Sequence, residues 1–213
     1  MERGWNCLVF EGPGQMSALQ LNPGLLLRPD WEVPFKAVVD HLVNRNDVEA
    51  DRLALNGYSL GPGLAARAAA YEKRIGTCIC DGLVVNVYEE WKPFNVEELG
   101  CGIECPFLAL YGEAEYAEQE SEALIRSIGC FLGEPGCPAH IHEFTYEDGW
   151  AATHCQVGGS TVADAVIFDW LGKVVINKNF SAIPAKIPSE AISRHHKNPA
   201  LPRDRHDIRI GAV

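Results

Sequence analysis

No apolar run in the sequence approaches the roughly 18 residues that a helix needs to cross a bilayer, so it offers no transmembrane segment. Its opening stretch, MERGWNCLVFEGPGQ, holds too short an apolar segment for a secretory leader. Positive charge is scarce: 18 Lys and Arg stand against 29 Asp and Glu, for a formal net charge of -11. That balance argues against nucleic acid and anionic membrane surfaces as partners. There is no internal repeat. Aromatic residues are nearly missing from the C-terminal stretch NKNFSAIPAKIPSEAISRHHKNPALPRDRHDIRIGAV, which leaves little there for stacking on nucleic-acid bases.

What is present suits one globular domain. Of the 213 residues, 47% are hydrophobic and 22% charged, enough to bury a core. Eight cysteines in a chain of this size read as reduced, buried thiols of a cytoplasmic protein rather than as a disulfide framework. Cys78 and Cys80 sit two apart in an apolar run, so as strand residues they share a face. Charge is uneven. From Lys173 to Val213 there are eight Lys and Arg against three Asp and Glu, so the acidic excess lies entirely in the preceding part. Residues 1–172 are expected to form the domain, and 173–213 a basic, Pro-rich, mobile tail.

Strand and helix patterns alternate along the chain, which predicts an α/β protein with a mostly parallel sheet and flanking helices. Trp5–Phe10 reads as a strand that turns at Glu11-Gly12-Pro13-Gly14. Asp30 is placed to cap a helix carrying Phe35, Val38, Val39, Leu42 and Val43 at helical spacing. Strands are expected at Leu53–Leu55, Ile75–Cys80, Pro106–Tyr111 and Ile141–Phe144. Helices are expected at Leu64–Lys73, from about Tyr116 to Phe131, and from about Thr161 to Leu171, the last with Val162, Val166 and Trp170 near one face.

Gly57-Tyr58-Ser59-Leu60-Gly61 has the G-x-S-x-G form of a nucleophile elbow, a tight strand-to-helix turn whose flanking positions must be small. Glycine-rich sequence produces the pattern often, and a plain turn with a capping serine would look alike. The apolar strand before it and the Ala-rich helix after it supply the context the elbow needs. The Leu60 N–H would be one oxyanion donor, and Pro62 suits a first helical turn, where its missing N–H costs nothing. A nucleophilic serine needs a base and an orienting carboxylate, here in the order serine, acid, histidine. Glu115, three residues past Gly112 after PFLALY, is the first choice of acid, with Glu113 the alternative. Either could instead be an ordinary acidic helix start. His154, in EDGWAATHCQVGGS after the last strand, is the candidate base. His140 and His142 alternate in a strand and read as structural, and with Cys137 they lack a zinc pattern, so no metal is called for.

The runs GWNCLVFEGPGQ, RPDWE, VPFKAVVDHLVNR, DRLALNGYSLG, AARAAAYEKRI, CPFLALYGEAE and GWAATHCQVGG together resemble the fungal fusarin-pathway hydrolase family of the α/β-hydrolase superfamily. That family is similar to polyketide-shortening pigment hydrolases and pseudooxynicotine hydrolases. The resemblance spans about Glu2 to Leu171. It implies Ser59 as nucleophile, His154 as base and Glu115 as acid, where relatives usually carry Asp. It implies no cofactor and a small-molecule substrate: hydrolysis of a carbon–carbon bond beside a ketone, an ester or acyl release, or a cyclisation, in making a polyketide-type secondary metabolite. It also implies an α/β-hydrolase fold lacking its first strands, which carry the second oxyanion donor, and most of its lid. An uncovered sheet edge would then favour a homo-oligomer. The alternative is a truncated, catalytically silent relative that binds a small molecule or a partner protein.

Overall fold

The computed structural model describes residues 3–82, 89–96, 99, 102–116 and 139–176. Within them lies a four-stranded parallel sheet of β1 (Ala54–Tyr58), β2 (Thr77–Asp81), β3 (Phe107–Gly112) and β4 (Ala139–Phe144), arranged in chain order. The helices are α1 (Met16–Leu21), α2 (Glu32–Val43), α3 (Gly61–Tyr71) and α4 (Ser160–Leu171). None is long and apolar enough to cross a membrane.

The two central strands, TCICD and FLALYG, are buried along their whole length, as unbroken apolar strands of a parallel sheet should be. Alternate side chains enter different cores. Cys78, Cys80, Phe107, Ala109 and Tyr111 join α2 and α3 on one face. Ile79, Leu108 and Leu110 join α4 on the other. Cys78 and Cys80 thus share a face, with their sulfurs 3.9 Å apart and both thiols free. The small side chains Ala65, Ala66, Ala68, Ala69 and Ala70 are buried and let α3 lie close to the sheet. Burying one side chain the size of Phe107 is worth about 1.5–3 kcal/mol, so these two layers dominate stability. On α3, the Arg67 guanidinium forks onto Glu32 of α2 and lies over the Tyr71 ring.

The expected strands at 53–55, 75–80, 106–111 and 141–144 all appear, shifted or extended by one to three residues at their ends. Three expectations need correction. Trp5–Phe10 is not a strand. Its ends serve as anchors: Phe10 meets Trp31 and Phe35, and Trp5 packs against the α4 core, while Leu8 and Val9 are exposed. Asp30 does not cap α2 through its side chain, because its carboxylate is taken by Arg28. On α4 the inward residues are Ala163, Ile167, Trp170 and Leu171, spaced i, i+4, i+7 and i+8, so Val162 lies outside. Helix α1 has no buried residue and no periodic signal. It is held by polar contacts, with Glu11 accepting the Ser17 N–H at 2.7 Å and Gln15 accepting the Gly12 N–H at 2.7 Å. Helix 116–131 (beyond its first residue), Cys137, much of the segment expected to stand in for a lid, and the tail from 177 onward lie outside the described residues.

Candidate active site

The parallel register sets Tyr58 beside Asp81, Asp81 beside Leu110, and Gly112 beside Phe144. The C-terminal ends of all four strands therefore open on one edge of the sheet, where ligands of α/β proteins bind.

Ser59 stands between β1 and α3 with φ of 56°, a left-handed conformation unusual for a residue with a side chain. Such a residue costs of order 1 kcal/mol or more and persists only where its surroundings impose it. Here they do. The Ser59 N–H donates to the Asp81 carbonyl at 3.1 Å. Gly57 lies so near the start of α3 that a Cβ there would sit 2.4 Å from Gly61 backbone atoms. The second motif glycine differs from expectation: a Cβ on Gly61 would meet nothing within 4 Å, so only the first glycine is demanded by packing. Leu60 is the N-cap of α3, and its amide is among those that no intrahelical carbonyl reaches.

Glu115 lies in the single turn Glu113–Tyr116 that follows β3. His154 opens the turn His154–Gln156, in which Cys155 and Gln156 are both left-handed, at φ 51° and 47°. The fold brings the three candidate residues together. His154 Nδ1 is 2.9 Å from Glu115 Oε1, and its Nε2 is 3.3 Å from Ser59 Oγ. A carboxylate only accepts, so Nδ1 carries the proton and Nε2 is left to accept from the serine hydroxyl. Burial raises the Glu115 pKa above its ordinary value, opposed by the hydrogen bond to His154. Glu113 goes elsewhere: its Oε2 accepts the Tyr146 N–H at 2.9 Å. His140 and His142 are partly buried on β4, and desolvation lowers both pKa values. Among the described residues no three His, Cys, Asp or Glu gather as a metal site.

Two glycines let the elements meet. A Cβ on Gly112 would lie 2.0 Å from the Ala152 carbonyl oxygen, and one on Gly82 would lie 2.7 Å from His154 Cε1. Sequence reading passes over Cys155, Asp81 and Gln156. The Cys155 sulfur is 3.3 Å from His154 Nε2, and burial pushes its thiol up to about 11, so it remains a thiol at neutral pH. Asp81 and Gln156 are fully buried. The amide orientation that satisfies both turns the Gln156 nitrogen to the Asp81 carboxylate, donating at 2.6 and 2.9 Å. The only available hints are the polar residue closing an apolar strand at Asp81-Gly82 and the HCQ run.

Burial, then repulsion from Glu115, raises the Asp81 pKa from 3.8 to about 7. Between those values the folded protein holds a proton that the unfolded chain has released. Asp81 therefore makes stability fall as pH rises through that window, with a slope of no more than about 1.4 kcal/mol per pH unit. Glu115 acts in the same direction, whereas Glu32, Glu72 and Asp40, lowered by cationic partners, lose their stabilisation only as pH falls through their depressed values. Urea unfolding at pH 5 and pH 7 should show wild type losing more stability over this interval than Asp81→Asn.

No protein-family model matches the chain. Hydrolase LUC6 of Fusarium sp. is 40% identical over 86 residues, covering 38% of this chain and 20% of the relative. The 20-hydroxy-prefusarin hydrolase FUS2 of Gibberella moniliformis is 40% identical over 87 residues, covering 38% and 20%. The chain thus matches about a fifth of the length of these curated relatives. The crystal structure of 2,6-dihydroxy-pseudo-oxynicotine hydrolase superposes with a TM-score of 0.64 at 20% identity, over 82% of this chain and 54% of that one. The chain thus shares the fold of this hydrolase and resembles the fungal hydrolases over part of its sequence. In this fold β1 leads into the Ser59 turn, β3 into the turn that carries Glu115, and β4, through the turn Tyr146–Ala152, toward His154.

Proposed function

We propose that this chain is a serine hydrolase in which Ser59 is the nucleophile, His154 the base and Glu115 the acid. The observation that carries the reading is the imidazole of His154 bridging Glu115 and Ser59 through its two nitrogens. His154 takes the proton as Ser59 attacks a carbonyl carbon, and Glu115 stabilises the imidazolium that forms. The Leu60 N–H is placed to hold the oxyanion. The intermediate then expels an alcohol, or an enolate that His154 protonates. Water clears the acyl-enzyme. No cofactor is needed for these steps.

The substrate we infer is a small ketone or ester of polyketide type, cleaved at a carbon–carbon or acyl bond in a cytoplasmic secondary-metabolite pathway. The resemblance to the prefusarin and pseudo-oxynicotine hydrolases supports that class. A net charge of -11 speaks against nucleic acid as partner. Exposed Ala54, Asn56 and Tyr58 on the edge strand β1 support self-association. One observation favours the catalytically silent binding protein: Ser59 is exposed and the His154 side chain is 50% exposed, which weakens water exclusion.

Labelling with a fluorophosphonate probe separates the two. The hydrolase reading expects labelling of wild type and none of Ser59→Ala. A folded wild type that resists the probe would sink it.

A further inference from the structure

Beside the serine–histidine–glutamate arrangement stands a buried carboxylate without a task in it. Asp81 closes β2, is fully buried, and contributes nothing to the three proposed catalytic contacts through its side chain. A buried carboxylate is retained at a cost unless something pairs with it. Its partner is Gln156, also fully buried, which donates to both carboxylate oxygens.

The position of that partner matters. Gln156 ends the turn that His154 begins, and the two left-handed residues Cys155 and Gln156 need an outside constraint to stay in that conformation. The Gln156 side chain supplies a buried one. The backbone of Asp81 adds to it, because its carbonyl accepts both the Cys155 S–H at 3.6 Å and the Ser59 N–H at 3.1 Å. Asp81 thus touches the strained turn of the proposed nucleophile and the strained turn of the proposed base. The next residue, Gly82, is left-handed and leaves room for the His154 ring.

We propose that Asp81 and Gln156 form a positioning pair, a buried carboxylate–amide contact that fixes the His154–Gln156 turn and so holds the imidazole between Ser59 and Glu115. The inference rests on the hydrolase reading. It assigns Asp81 no contact with substrate. The pair acts through His154 by geometry, holding the turn that carries the imidazole. The ionisable groups that surround Asp81 are Glu115 beyond β3, His154 and Cys155 in the histidine turn, Asp164 on α4 and Tyr58 on β1. Of these, only His154 gains a positive charge during the proposed reaction.

Three variants test it, with Ser59 labelling by a fluorophosphonate probe and kcat/KM for p-nitrophenyl acetate as readouts. Gln156→Met keeps the side-chain length and removes both hydrogen bonds. Both rates should fall about tenfold to a hundredfold, the usual cost of a misplaced catalytic group. Asp81→Asn keeps the shape and an acceptor for the Gln156 amide, so both rates should stay within a few-fold of wild type. Asp81→Leu removes the acceptor, and both rates should fall as in Gln156→Met. A folded Gln156→Met reacting at the wild-type rate overturns the pair, as does a folded Asp81→Leu that matches Asp81→Asn. If Gln156→Met does not fold, Asp81→Leu beside Asp81→Asn decides. A wild type that labels at Ser59 beside Gln156→Met and Asp81→Leu that match it condemns the pair only. A wild type that does not label overturns the hydrolase reading and this inference with it.

Discussion

Glu115→Gln should lower kcat for p-nitrophenyl acetate by about ten-thousandfold, and His154→Ala by at least as much. Glu115 Oε1 lies 2.9 Å from His154 Nδ1 and accepts a hydrogen bond from its N–H. A glutamine can turn its amide nitrogen toward Nδ1. The imidazole proton then moves to Nε2, which faces Ser59 Oγ at 3.3 Å and can no longer accept from it. The geometry survives while the chemistry is lost. Because the three groups act as a unit, the double variant should be no slower than His154→Ala alone. Glu113→Gln is the control. Its carboxylate accepts a backbone N–H from Tyr146 and does not reach the imidazole, so kcat should stay within a few-fold of wild type. Steady-state kinetics on the four variants checks this. Comparable losses in Glu113→Gln and Glu115→Gln would show that the acid has been misassigned.

The second large effect is on stability. Gly57→Ala should destabilise the fold by about 3 kcal/mol or more, because overpacking against groups that cannot yield costs this much. The new methyl would stand 2.4 Å from the carbonyl carbon and oxygen of Gly61 and 2.7 Å from the nitrogen of Pro62. All three are backbone atoms at the start of α3, so relief requires moving the helix that packs on β1 and β2. Gly61→Ala, four residues on, meets open space at a helical position. It should be neutral or stabilising by up to about 1 kcal/mol, since alanine loses less backbone freedom than glycine. In a protein of this size a change of 1 kcal/mol moves Tm by about 2–4 °C. The two variants should therefore differ by roughly 10 °C or more in thermal unfolding. Equal melting points would mean that the elbow is looser than its geometry indicates.

The contrast between the two glycines shows how far a motif can be read from sequence. The letters of G-x-S-x-G treat them alike. The strain at Ser59 and the crossing of β1 by α3 make the first indispensable and leave the second free. The same holds at the strand ends. The apolar runs TCIC and FLALY are legible as buried strands because burial on both faces leaves no polar alternation. The run from Trp5 to Phe10 has similar composition, yet it forms no strand: strand formation needs a paired neighbour, and composition does not carry that information. Helix α1 is equally invisible, since it buries nothing and hangs on side-chain contacts from Glu11 and Gln15.

Sequence alone determined the α/β class, the order of the core elements and the candidates Ser59, Glu115 and His154, since these depend on local periodicity and on residue types placed just after strands. It also determined that two carboxylates, Glu113 and Glu115, follow the third strand of the sheet. Tertiary structure decided which of them reaches His154, because residues two apart in a tight turn point in different directions. It likewise decided that Asp81 and Gln156, 75 positions apart by their numbers, meet in a buried contact. A parallel sheet gathers its strand ends along one edge, and the contacts made across that edge depend on register and on backbone close enough to exclude a Cβ. Neither quantity is written in any single stretch of the chain.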